Sequence, residues 1–210
     1  MRRLDRSADM VAEPFNKTCF VSDNPADQAS ITFYNNDARG IAKGPQNGGM
    51  SHVQRIHLNV GQYYFRFCDR RRFGEDWKAA ASGCWWADYE VFVKVKQAAQ
   101  RQRTIQRYAK NIRSSRLAYA AKLYFAIPYE WGDCGSLVIA RLDVRLDAYK
   151  GRGLPAFYNR DPDEADERDG NADYIPIQDP TVSQLYIPGL RGRFDDVFTV
   201  IQKGATGGFA

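Results

Sequence analysis

The stretch "CWWADYEVFVKVKQAAQRQRTIQRYAKNIRSSRLAYAAKL", Cys84 to Leu123, decides the fold class, because it is the long block of the chain with helical spacing. Phe92, Val95 and Ala99 recur on one face of a helix, and Ile105, Tyr108 and Ile112 on another, with the basic residues mostly turned away. On both sides the pattern changes to short alternating runs. Upstream stand "SITFYNN" (30–36) and "RIHLNVGQYYFRFCD" (55–69), the latter two runs about Gly61. Downstream stand "LYFAIPYEW" (123–131), "SLVIARLDV" (136–144), "QLYIPGL" (184–190) and "DDVFTVIQK" (195–203), all with strand character. Strands flanking one helical block imply an α+β domain, because parallel βαβ units would need helices between most strands.

The remaining segments read as connections. "GIAKGPQNGGMS" (40–51) has the Gly, Pro and Asn density of a mobile loop, and "RRRFGEDWKAAASG" (70–83) is a loop leading into the helical block. Residues 1–28 mix Asn, Asp, Ser, Pro and charge and are expected to form a loosely ordered arm. Residues 29–210 then form a single domain, long enough to bury a core.

Composition narrows the class. A hydrophobic fraction of 44% with 26% charged residues is that of a soluble globular protein. No apolar run approaches the ~20 residues needed to span a bilayer. The N-terminus "MRRLDRSADMVAEPF" lacks the apolar region of an ordinary signal peptide. Cys19, Cys68, Cys84 and Cys134 lie far apart with no C-x-x-C, which points to free thiols rather than a metal site. His52 and His57 are the only histidines, so a histidine-based catalytic or metal centre is not expected.

Charge is unevenly spread about a net +5. From Val91 to Tyr129 there are nine Lys or Arg residues and no Asp or Glu, whereas "DPDEADERD" (161–169) is almost wholly acidic. The acidic run reads as a solvated loop. The basic run is either a solvated helix face or a surface that attracts nucleic acid or an acidic partner.

No nucleotide-binding glycine motif, hydrolase elbow or zinc-protease motif is present. Three separate pieces carry the candidate chemistry. Arg66 lies among aromatics in "YYFRF", beside Tyr64, and a cation in so apolar a strand is costly to bury unless it meets an anion or carboxylate. Its planar fork suits phosphate. The alternative is an arginine on the outer face of an edge strand. "SGCWWADYE" places Trp85 and Trp86 after Ser82 and Gly83, as the wall of a flat pocket or as two core aromatics at a helix start. Gln184 heads the run "QLYIP".

Taken in order, these pieces resemble the mono-ADP-ribosyltransferase superfamily of bacterial toxins and effectors. Its members pair an early-strand arginine with a Ser-centred or aromatic segment, and place a late glutamate before three apolar residues and Pro. Arg66 matches the arginine and Ser82 is the nearest serine. Gln184 stands where the glutamate would be, and the stretch Tyr174 to Ser183 where a substrate-recognition loop would lie. The resemblance covers residues 58 to 200.

What it implies is an ADP-ribosyltransferase-like split β-sandwich of mostly antiparallel strands with a central helical block. It implies NAD as substrate, held by Arg66, Ser82, Trp85, Trp86 and Tyr64, with Gln184 and Arg66 as catalytic residues, no metal, and a protein acceptor. It further implies a secreted effector delivered to a target cell, or otherwise a cytoplasmic protein. In such chemistry a carboxylate stabilises oxocarbenium charge as the nicotinamide–ribose bond breaks, and its loss typically slows the step by ~10²–10³-fold. Glutamine at position 184 therefore leaves three readings. The chain is a Glu-to-Gln inactivated form, or it uses another carboxylate such as Asp179 or Glu90, or it is no transferase. The rival classes are a nucleic-acid-binding module built on the basic helical segment and a hydrolase that cleaves NAD without a protein acceptor.

Overall fold

The computed structural model describes residues 13–20, 34–36, 42–46, 48–73, 76–103, 105, 115–127, 131–157, 174–175 and 182–209. In chain order the strands are β1 (Tyr34–Asn36), β2 (Ala42–Gln46), β3 (Met50–Leu58), β4 (Tyr63–Cys68), β5 (Trp85–Asp88), β6 (Ser136–Leu142), β7 (Leu146–Gly153), β8 (Ala156–Phe157), β9 (Tyr174–Ile175), β10 (Ser183–Tyr186) and β11 (Phe198–Ala205). The helices are α1 (Arg70–Phe73), α2 (Trp77–Ala81), α3 (Tyr89–Arg101), α4 (Arg116–Phe125) and α5 (Phe194–Val197). The domain is α+β. Its main sheet has seven strands in the order β11-β6-β4-β5-β10-β7-β3, and every ladder is antiparallel.

Alternation along the central strands divides the side chains between two cores. Tyr64, Cys68, Trp86, Val138, Ala140, Leu142 and Leu185 point into one cluster, which α2 and α5 close with Ala80, Ala81, Phe194 and Val197. Phe65, Ala87, Leu137, Ile139 and Val182 point the other way, under α3 and α4. The rings of Trp86 and Phe198 stack at 4.8 Å although two strands separate β5 from β11. Those strands lie about 14 Å apart in the sheet, so the two large side chains lean toward each other to close the first core.

The helical block sits between β5 and β6 and is held by an apolar stripe. Val91, Phe92, Val95, Ala98 and Ala99 of α3 are buried at helical spacing, as are Leu117, Ala120, Ala121 and Tyr124 of α4. Ser115 caps α4 by accepting from the Ala118 amide. α4 runs on to Phe125 and stops at Ala126, whose backbone is left-handed with φ 48°. Two expectations are corrected here. "LYFAIPYEW" does not begin as a strand, because its first three residues complete the stripe of α4. "CWWAD" is not helical, because Trp85–Asp88 bridges two strands of the sheet. The expected loops at 40–51 and 70–83 contain β2, and α1 and α2.

The expected loose arm is also corrected over residues 13–20. The buried Asn16 amide donates to the Asp147 and Pro188 carbonyls (2.9 and 3.0 Å) and its oxygen accepts from the Asp147 amide (2.9 Å). This one side chain ties the segment to β7 and to the turn after β10. Asp147, itself buried, takes two bonds from Arg55 (3.0 and 2.8 Å) and one contact from His57 (2.5 Å), so its charge is compensated. The acidic run 161–169 lies outside the described residues. No described helix is long and apolar enough to cross a membrane.

Candidate functional site

The three pieces picked from the sequence come together on three neighbouring strands, with Arg66 on β4, Trp85 and Trp86 on β5, and Gln184 on β10. β4 is an interior strand between β6 and β5, which removes the edge-strand reading of Arg66.

The β4–β5 ladder contains only Tyr64↔Asp88 and Phe65↔Ala87, so the strands part at Arg66. The arginine bridges the opening. Its Nε donates to the Ala80 carbonyl at 2.7 Å and its Nη1 to the Trp85 carbonyl at 2.9 Å. Two neutral carbonyls thus supply the partners that a part-buried cation requires. Gly83 makes room for it. A Cβ there would lie 2.2 Å from Nη2 of Arg66, so a larger residue fits only if the guanidinium, held by its two carbonyls, gives way.

Ser82 ends α2, its hydroxyl donating to the Lys78 carbonyl at 2.8 Å. Tyr64 does not reach a cleft. It is buried against Phe198, its hydroxyl accepts from the Asn59 amide at 3.1 Å, and burial holds its phenol above the ordinary value. Trp86 is likewise a core residue. It stacks on Phe194 and Phe198 and its indole donates to the Gly83 carbonyl at 2.8 Å. Tyr64 and Trp86 are therefore corrected as ligand-contacting residues, because strand alternation turns both into the larger core.

Trp85 faces the opposite way, half-buried and edge-on to Tyr186 at 5.3 Å. Gln184 shares that face, since Tyr186 pairs with Trp85 and residues two apart on a strand point the same way. Its Nε2 donates to the Phe125 carbonyl at 3.2 Å, at the end of α4. The Gln184 amide thus satisfies one of the carbonyls a helix leaves without an internal donor. In register with Gln184 on β7 is Gly151.

The expectation that Arg66 and Gln184 share one cleft is corrected by the same alternation. Leu185 opposes Trp86, and Arg66 lies on the Tyr64 and Trp86 side, whereas Gln184 lies on the Trp85 side. The strands are neighbours and the side chains diverge. Of the two substitute carboxylates, Glu90 is exposed in the first turn of α3, and Asp179 lies outside the described residues. Most of the expected recognition loop, 176–181, lies outside them too.

The thiols follow the same division. All four cysteines are free. Burial raises the Cys68 thiol, partly offset by the Arg66 guanidinium beside it. Burial pushes Cys134 up to about 12. Among the described residues no three His, Cys, Asp or Glu side chains group as metal ligands.

Sequence reasoning missed Gly83 and the Phe125 carbonyl. The Ser-Gly pair before the tryptophans was the available signal for the first. No sequence signal marks the second, a backbone oxygen brought close by the packing of α4. No family model matches the chain, and no curated protein matches it in sequence.

Proposed function

We propose that the chain binds NAD at the centre of its sheet, in the manner of an ADP-ribosyltransferase, and turns it over slowly because position 184 carries an amide. The observation that carries this reading is that Trp85 and Gln184 share one face of adjacent strands where the β4–β5 ladder ends, while Arg66 donates to the Trp85 carbonyl from the next strand. The seven-stranded antiparallel sheet with its helical block between β5 and β6 is compatible with a split β-sandwich of that kind.

The roles follow the faces. Trp85 and Tyr186 form the aromatic wall for the planar leaving ring. With its N–H committed to Phe125, Gln184 offers its carbonyl oxygen to a ribose hydroxyl. That oxygen orients the sugar but brings no negative charge to the oxocarbenium-like transition state. Arg66 acts as a positioning residue, fixing the Trp85 carbonyl and the loop at Gly83. Transfer to a protein acceptor, and an effector role, rest on the family resemblance alone.

The test is calorimetric titration with NAD together with nicotinamide release. Saturable binding with slow release is expected. Trp85→Leu should weaken binding at least tenfold, and Gln184→Glu, assayed where it remains folded, should speed release by ~10²-fold. Absence of NAD binding, or unchanged affinity in Trp85→Leu, overturns the reading. Labelling of added protein separates transfer from hydrolysis, which frees ADP-ribose alone.

A further inference from the structure

A cavity of about 180 Å³ opens where β4, β6 and β11 end, beneath α2. Its apolar walls are Trp77, Ala80 and Val138, with Cys68, Ser136, Gly204 and Ala205 around them. An apolar cavity of about 150 Å³ is large enough to hold a benzene ring, so this one takes a single ring with a small substituent and no nucleotide.

Its charged lining is mostly basic. Arg70 and Lys203 border the cavity, and the Arg66 guanidinium and the Asp133 carboxylate both stand close behind the Cys68 wall. Asp69 is the acidic lining residue, and its carboxylate is taken by the Arg71 guanidinium and backbone amide, at 3.2 and 3.1 Å. The Lys203 ammonium rests over the Trp77 ring, 3.7 Å from its centroid, and among the described residues it has no acidic partner. Lys78, near the same ring, is by contrast paired with Asp195 at 2.7 Å.

We propose that this cavity is a binding site for a small aromatic carboxylate, its ring against Trp77 and its carboxylate on Lys203. An aromatic ring accounts for the apolar walls, which a bare anion would leave unfilled. A carboxylate accounts for Lys203, an exposed ammonium at the edge of the cavity to which an uncharged ring would offer no counter-charge. Binding exchanges a cation–π contact for a charge-assisted hydrogen bond. The site opens on the Arg66 side of the sheet, away from Gln184, and does not rest on the NAD reading.

The experiment is calorimetry on the full chain with benzoate, benzyl alcohol and inorganic phosphate as probes. Benzoate should bind with a Kd of about 1 mM or tighter, and benzyl alcohol at least tenfold more weakly. Lys203→Gln should weaken benzoate tenfold or more, whereas Trp77→Phe, which keeps a ring, should hold affinity within threefold. Trp77→Leu should abolish binding, with circular dichroism confirming that the variant is folded. If that variant unfolds, the Lys203→Gln and Trp77→Phe pair decides alone. The proposal is overturned if benzoate does not saturate, if Lys203→Gln binds it unchanged, or if phosphate binds as tightly with the same Lys203 dependence.

Discussion

Trp85 and Trp86 are adjacent in sequence, on one strand, and have opposite surroundings. Trp86 is 3% exposed and clusters with Phe194 and Phe198, all three rings near-parallel, on the face where α2, α5 and the ends of the sheet close a continuous core. Trp85 is half-buried against Tyr186, on the face where Gln184 reaches the end of α4. The lesson is that a pair of neighbouring aromatics on a strand cannot wall one pocket, since the pleat sends them to different sides. One face of the sheet centre is therefore a closed apolar core, and the other mixes an aromatic pair with the polar contact of Gln184 to α4. Truncation separates them most sharply. Trp86→Ala should cost about 3–5 kcal/mol and Trp85→Ala roughly half that, by urea denaturation. Equal losses would erase the distinction.

The next effect tests how tightly the structural face is closed. Gly83 has no left-handed backbone requirement, and space alone demands it. Gly83→Ala would drive a methyl into the Arg66 guanidinium and should cost about 1–3 kcal/mol. If that contact is the cause, the effect vanishes once the arginine is gone. Adding Gly83→Ala to Arg66→Ala should cost under about 0.5 kcal/mol more, a coupling read from the double-mutant cycle. Additive losses would mean that Gly83 matters for another reason.

The Trp85 face has its own constraint at Gln184. Its N–H group donates to the Phe125 carbonyl, at the negative end of the α4 dipole. Gln184→Glu sets a carboxylate against a carbonyl and should cost about 1–2 kcal/mol, while Gln184→Met, which brings no charge, should cost less. A glutamate variant as stable as the parent would show that the bond to Phe125 is dispensable. It would also favour reading the position as a free ligand group.

The α+β class, the helical block and the central strands were legible in sequence because helical and alternating patterns are local. So were Arg66 and Gln184 as out-of-place polar residues in apolar runs. What was not legible depends on register. Nothing in "YYFRF" or "QLYIP" says which face each strand turns toward its neighbour, so the divergence of Arg66 from Gln184 could not be read. The start of "LYFAIPYEW" was misread because Leu123, Tyr124 and Phe125 fit a strand and a helix stripe equally well, and the Ser115 cap eight residues earlier settles it. Asn16 illustrates the same limit. A polar residue in a polar segment gives no sign that it will be buried, yet its bonds to β7 and the Pro188 turn dock the segment.

The last effect, absent at neutral pH, concerns the two buried thiols, which again lie on different faces. Cys68 packs into the core beneath α2, and Cys134 packs against Ala118 and Ala121 of α4. Burial disfavours the thiolate at both sites. The Arg66 guanidinium draws the Cys68 thiol back toward its ordinary value, whereas Cys134 is raised from 9.0 to about 12. An acid whose folded pKa exceeds its unfolded one contributes its full stability below the unfolded pKa. That stability is then lost as pH rises, because the unfolded chain releases its proton first. For Cys134 the loss begins near 9.0 and continues toward 12, at up to about 1.4 kcal/mol per pH unit. Unfolding free energy measured from pH 7 to 11 should therefore fall on the alkaline side. Cys134→Ala should flatten that fall, and more than Cys68→Ala does, because burial still holds Cys134 at about 12 despite Lys122 nearby, whereas Arg66 both faces Cys68 and hydrogen-bonds it. If Cys68→Ala flattens the curve as much as Cys134→Ala, then Arg66 does not compensate the thiol beside it. The two faces would in that case titrate alike.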